Sequence, residues 1–241
     1  MKKFTHMEIY KNNKTLFIIL AAGLLILAIC LVFLRPWPLD KSPIGEEETR
    51  PASQEISVPF TSQAPEGDWR EPWQNACEEA SIAMIQSFYK EEGLDMEDAR
   101  QQILAVFTLK RDTGPESKDE SMARIAQIIN SGDLIWKARV VDKPTAEMMK
   151  EELAAGRPII APVYAPLLDN PNYVDGGLDY HVIVIKGYDD EAGEFITHDP
   201  GTKEGEDYRY PYDKLMGAIH DYLASKDYTA GAKRVLFTEL R

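Results

Sequence analysis

Cys77, His181 and Asp199 are the residues of this 241-residue chain whose types could together carry covalent chemistry. A thiol can attack a carbonyl, an imidazole can take and return its proton, and a carboxylate can orient the imidazole. A fourth part, hydrogen-bond donors for the tetrahedral oxyanion, completes acyl transfer. The backbone N–H of Cys77 is one such donor, and the side-chain amide of Gln63 or Gln74 upstream is the other. Taken singly, each residue has a plainer reading: a free cysteine is usually a small buried hydrophobe, His181 a satisfied core histidine, and either glutamine a solvated polar group.

The elements that must position them change those readings. Residues 75–90 show apolar positions at helical spacing, with Ala80, Ala83, Met84 and Phe88 on one stripe and Ile82, Ile85 and Tyr89 on another. Apolar on two sides, this helix is expected to be largely buried. Asn75 and Glu78 fit a capping box, which sets Cys77 in the first turn, where free N–H groups and the helix dipole favour a thiolate. Glu78 and Glu79 oppose that effect, so strong activation calls for a nearby imidazolium. His181 opens the apolar strand 180–187 and shares a face with Ile183 and Ile185. The turn signal at 189–193 leads into a second strand, 194–199. A hairpin centred near Asp190 sets His181 opposite Asp199, with Cβ atoms about 5 Å apart. A one-residue slip would present His198 instead.

Around this pair, helices are expected near 95–107, 119–130, 145–155 and 212–223, and strands near 134–141, 158–164 and 234–239. A short edge strand is expected at 56–60, with Pro59 excluding a central position. Helices first and strands later describe an α+β domain with a mainly antiparallel sheet.

The N-terminus belongs to another environment. Residues 16–34 run nineteen positions without a charge, about 28 Å as a helix, enough to cross a bilayer. Lys2, Lys3, Lys11 and Lys14 precede this run, so the positive-inside rule keeps residues 1–14 cytoplasmic. The expected organisation is a cytoplasmic tip at 1–14, a single-pass transmembrane anchor at 15–35, a Pro- and charge-rich linker at 36–55 and an extracytoplasmic domain at 56–241. A cleaved signal or a lipoprotein anchor fits less well, because no small-residue cleavage site follows the run and Ile29 precedes Cys30.

Net charge is −13, and the first 36 residues hold five basic residues and one acidic, leaving 22 basic against 39 acidic beyond them. That balance argues against nucleic acid as a partner and against a domain lying on anionic lipid. Cys77 is the only cysteine outside the apolar run, so no disulfide framework exists. A zinc site built from Cys77, His181, His198 and Asp199 lacks ligand spacing. The acid-rich segment 169–179 matches no calcium loop and reads as a loop beside a cleft. No metal or cofactor is therefore expected. Trp69 and Trp73 are available either to line a substrate groove or to pack.

The segments VPFTSQAP, WQNACEEASIAM, DYHVIVIKGYDD and ITHDPG resemble the papain-fold cysteine peptidases of the peptidase C-thirty-nine-like group, relatives of bacteriocin double-glycine leader peptidases. The resemblance covers most of residues 56–200. It implies a papain-like fold and a peptide or protein substrate. It further implies Cys77 as nucleophile, His181 as general base, Asp199 as orienting acid and Gln63 as oxyanion donor. Gln63 stands fourteen residues before Cys77, further than is usual in the group, which leaves Gln74 as the alternative. No Walker-A loop accompanies the domain, so bacteriocin export is not implied. The expectation is a membrane-anchored thiol peptidase. The alternatives are a catalytically silent papain-fold binding module and a transglutaminase-like acyl transferase.

Overall fold

Asp95, Ser121 and Thr145 each accept a hydrogen bond from a backbone N–H three residues on, and each starts a helix there. The computed structural model describes residues 50–115, 117–174 and 179–241. The expected membrane anchor and most of the linker lie outside them. Among the described residues no helix is long and apolar enough to cross a membrane.

The helices are α1 (Cys77–Lys90), α2 (Met96–Asp112), α3 (Met122–Ser131), α4 (Ala146–Ala154) and α5 (Tyr212–Ala218). The strands are β1 (Ser53–Glu55), β2 (Trp136–Asp142), β3 (Ile159–Tyr164), β4 (Tyr180–Asp189), β5 (Glu194–His198), β6 (Tyr208–Pro211) and β7 (Arg234–Leu240). They form one seven-stranded sheet in the order β2-β7-β3-β4-β5-β6, with β1 paired to β4. Every pairing is antiparallel. The α+β expectation holds.

β4 is the central strand, buried along its whole length except at Asp189. Its Val182, Ile183, Val184 and Ile185 join Ile82, Met84 and Ile85 of α1 and Trp136 of β2 in the main core. Each such side chain contributes about 1.5–3 kcal/mol by leaving water.

Several elements differ from expectation, among them α2, which runs to Asp112 rather than 107. The edge strand lies at Ser53–Glu55 rather than 56–60, because the ladder with β4 ends as Ile56 donates to Lys186 and Val58 N–H turns back to Ile56. Gly187 permits this pairing, since a Cβ there would sit 2.5 Å from the Gln54 carbonyl oxygen. The helix expected to 223 stops at Ala218, because Ile219 bridges to Val163 and His220 N–H donates to Pro162. β6 was not anticipated; its four residues pair with β5 and carry Tyr210 inward.

Candidate active site

α1 begins at Cys77 itself, and the residue before it, Ala76, offers no side-chain cap. The expected capping box is absent. Asn75 closes a 3-10 turn, Trp73–Asn75, and its amide donates to the Glu71 carboxylate at 2.8 Å. Glu78 turns into the protein. The first N–H groups of α1 are thus free of side-chain caps beside the thiol.

The thiol is buried, and its pKa lies well above the ordinary value. Burial is the main cause; Glu78, Glu79 and Asp119 add to it, and a backbone hydrogen bond at Val182 opposes it. Loss of water and the three carboxyl groups thus work against the dipole at the helix start. The bond at Val182 sets the sulfur against the residue next to His181.

His181 Nε2 and Asp199 Oδ1 are 2.7 Å apart, and both residues are buried. They meet by a different register from the one expected. Val184 stands opposite His198, and a bulge between Ile185 and Gly187 shifts the remainder. Continuing the ladder would set Asp199 against Ile183, two residues from His181. A two-residue offset preserves the sheet face, so the side chains still meet along a diagonal. The reserve residue, His198, points elsewhere: its Nε2 donates to the Val58 carbonyl at 2.8 Å, and its Nδ1 accepts from Asp207 N–H at 3.2 Å. Burial lowers its pKa to about 4 and keeps it neutral. The zinc set considered from sequence therefore has its second imidazole committed elsewhere.

Asp199 accepts three further hydrogen bonds: from Gly201 N–H to Oδ1 at 3.0 Å, and from the hydroxyls of Tyr173 and Tyr210 to Oδ2 at 2.5 and 2.9 Å. Burial raises its pKa, but His181 and the two hydroxyls outweigh burial and hold it below the ordinary carboxylate value. Tyr173 and Tyr210 were not anticipated. Their only sequence signal is their place in an acid-rich loop and in a short unassigned strand.

A cleft of about 760 Å³ opens over His181. Gln63, Trp69 and Gln74 line it, together with Asn172, Tyr173 and Val174 from the loop after β3, and Gly201 to Glu204 after β5. Of the segment 169–179 expected beside a cleft, Asn172 to Val174 line it, and residues 175–178 lie outside the described residues. Of the two tryptophans, Trp69 lines the cleft, while Trp73 packs against Ala76, Ala80, Ala83 and Ile103.

Gln63 is buried, and its Nε2 donates to the carbonyls of Trp73 at 3.0 Å and Gln74 at 2.9 Å. It thereby braces the turn that leads into Cys77, while its Oε1 has no partner. Gln74 is exposed on the cleft wall.

Behind Cys77 a buried charge cluster joins α1 to α2. Lys110 Nζ lies 3.1 Å from Glu78 Oε2 and 3.2 Å from Glu79 Oε1. Glu78 Oε1 accepts from Glu120 N–H. Burial raises the pKa of both glutamates, and the Lys110 charge opposes it.

A buried cysteine at a helix start and a strand-borne histidine paired with an aspartate thus share one domain with an antiparallel sheet. Residues 55–230 match the Peptidase_C39 like family, and the chain belongs to it. A Bacillus anthracis protein described as a C39-like peptidase is similar in structure, at 19% identity and a TM-score of 0.48, over 76% of this chain and 96% of that one. Xylellain, a cysteine protease from Xylella fastidiosa, is 12% identical with a TM-score of 0.42, over 80% of this chain and 87% of its own. No curated protein matches the sequence.

Proposed function

We propose that the chain is a cysteine peptidase tethered to the cell membrane by residues 15–35, with residue 56 onward on the extracytoplasmic side. Cys77 is the nucleophile, His181 the base and Asp199 its orienting acid. The observation that carries this reading is the buried 2.7 Å contact of His181 Nε2 with Asp199, whose carboxyl pKa is lowered, with His181 on the strand against which the cysteine helix packs. With Nε2 held by the carboxylate, Nδ1 is the nitrogen free to serve the sulfur.

The raised thiol pKa favours a neutral Cys77 that loses its proton as it attacks, rather than a standing ion pair. His181 takes the thiol proton while sulfur bonds to the substrate carbonyl carbon. The oxyanion is met by the Cys77 N–H and a glutamine amide. The C–N bond then breaks, and His181 hands its proton to the leaving amine. Water, deprotonated by His181, cleaves the thioester and restores the thiol. Gln63 is preferred over Gln74 for the amide because its side chain is buried at the cleft and braces the turn into Cys77, whereas Gln74 is exposed.

The second reading, a silent papain-fold binding module, is favoured by the burial of the thiol and by the engagement of both Gln63 N–H groups with carbonyls. Alkylation by iodoacetamide at neutral pH, followed by mass spectrometry, decides between them. Cys77 is expected to label rapidly, His181→Ala to label at least tenfold more slowly, and Cys77→Ala not at all at this position. Equal labelling of His181→Ala and wild type would sink the enzyme reading. In a peptide-library assay, Gln63→Ala should lower kcat by about 10²-fold, and added amines should not be incorporated into product. Amine incorporation would indicate acyl transfer.

A further inference from the structure

Asp199 is held more elaborately than the orientation of one imidazole needs. Gly201 N–H and His181 fill the sites on Oδ1, and two hydroxyls fill those on Oδ2. The two tyrosines come from different places. Tyr210 stands on β6, and Asn170 Nδ2 donates to its hydroxyl oxygen at 2.8 Å, which leaves its own proton for Asp199. Tyr173 stands on the loop that lines the cleft, between Asn172 and Val174, both on the cleft wall. Asn170 shapes that loop as well: its Oδ1 accepts from Asn172 N–H at 2.9 Å and its carbonyl from Tyr173 N–H at 3.2 Å. One buried asparagine therefore fixes both donors.

Tyr173 also touches the base. Its ring stands edge-on to the His181 imidazole, with centroids 6.0 Å apart and planes at 82°. One side chain thus contacts the orienting acid through its hydroxyl and the imidazole through its ring, while its chain neighbours face the substrate cleft. Val174, at the rim, is 84% exposed and offers an apolar surface to a bound chain.

We infer that Tyr173 is a positioning residue for His181, acting through Asp199, and that it links the cleft wall at 172–174 to the orientation of the base. The inference rests on the assignment of Cys77, His181 and Asp199 above. Tyr210 supplies a donor from β6, and Tyr173 supplies one from the cleft wall.

The full-length chain in detergent provides the test, with Tyr173→Phe, Tyr210→Phe and His181→Ala. Three quantities are read: the iodoacetamide rate at Cys77, the thermal midpoint, and the downfield proton resonance of His181 Nε2–H. Loss of an orienting acid costs up to about 10⁴-fold, so loss of one of its donors is expected to cost roughly tenfold. Tyr173→Phe should slow alkylation by that factor and shift the His181 resonance, with the midpoint unchanged. A rate and resonance equal to wild type would overturn the inference. So would a slowed rate with an unmoved resonance, since the effect would then bypass His181. If Tyr173→Phe melts early, 3-fluorotyrosine at 173 keeps the shape and alters only donor strength. A shifted resonance then supports the inference, and an unshifted one overturns it. If His181→Ala labels as fast as wild type, the assignment of the site has failed. If His181→Ala is slow and Tyr173→Phe is normal, only the role of Tyr173 falls.

Discussion

Gly201 donates its N–H to Asp199 and passes under the imidazole so closely that a Cβ there would lie 2.8 Å from His181 Cε1 and Nε2. No side chain fits without moving the ring. A misplacement of about 1 Å at a reacting group can cost 10²-fold in rate. Gly201→Ala should therefore lower peptidase turnover by 10-fold to about 10²-fold while shifting the melting point little, because the displaced atoms belong to a side chain rather than the core. Turnover equal to wild type would show that the imidazole does not need its present position. The same scale separates what could be read from types and what could not. Cys77, His181 and Asp199 stand out because few side chains do their chemistry. Gly201, Tyr173 and Tyr210 do not, because their part depends on which atoms lie within 3 Å of Asp199.

Between elements, the telling case is Glu78. By local pattern it completes a capping box at the start of α1. In the fold it pairs with Lys110, 32 residues on, and with Glu79 forms a buried cluster bridging α1 to α2. A cap at the surface is worth about 1 kcal/mol, whereas breaking a buried ion pair costs about 3–5 kcal/mol, so the tertiary partner decides where the side chain goes. Lys110→Met should destabilise the domain by about that larger amount at neutral pH. The sign of its pH dependence follows from the glutamates, whose folded pKa values are raised by burial and would rise further without the lysine. A raised carboxyl contributes stability below its unfolded pKa and loses it as pH climbs through the folded one. Denaturant melts of Lys110→Met should thus show more stability near pH 5 than near pH 8, and a flat or opposite trend would count against the cluster. Helix starts at Asp95 and Thr145 were legible because period and cap are local there, whereas α3 starts at Met122 rather than 119. The end of α5 was not legible, because a bridge to Val163 sets it.

For the whole molecule, the boundary of the domain has a measurable consequence. Arg50 pairs with Asp190 and Glu147, the Tyr188 hydroxyl donates to the Pro51 carbonyl, and β1 adds a ladder to β4. A chain of residues 50–241 should melt higher than one of 56–241, by about 5 °C for each 1–2 kcal/mol of lost pairing. Equal melting points would make residues 50–55 an idle extension. For the intact chain, we expect membrane association that survives alkaline extraction and a domain cleaved by protease added outside intact cells. Release by alkaline extraction would remove the proposed anchor, and protection from the protease would reverse the proposed orientation.

Composition and periodicity were enough to define an α+β chain with an antiparallel sheet, an apolar N-terminal run and a single thiol beyond it, because helical and strand periods and charge balance are local or additive. They also placed the thiol at a helix start and the imidazole at the start of an apolar strand. Register, burial and partner choice were decided only in three dimensions. The hairpin offset by two residues keeps His181 and Asp199 on one face. Burial of Cys77, with the carboxyl groups beside it, raises the thiol pKa where the helix start alone would lower it. Two tyrosines from separate segments converge on one carboxylate oxygen. Each of these is a contact between residues distant in the chain, whose energy depends on removal from water, and no local pattern carries that information.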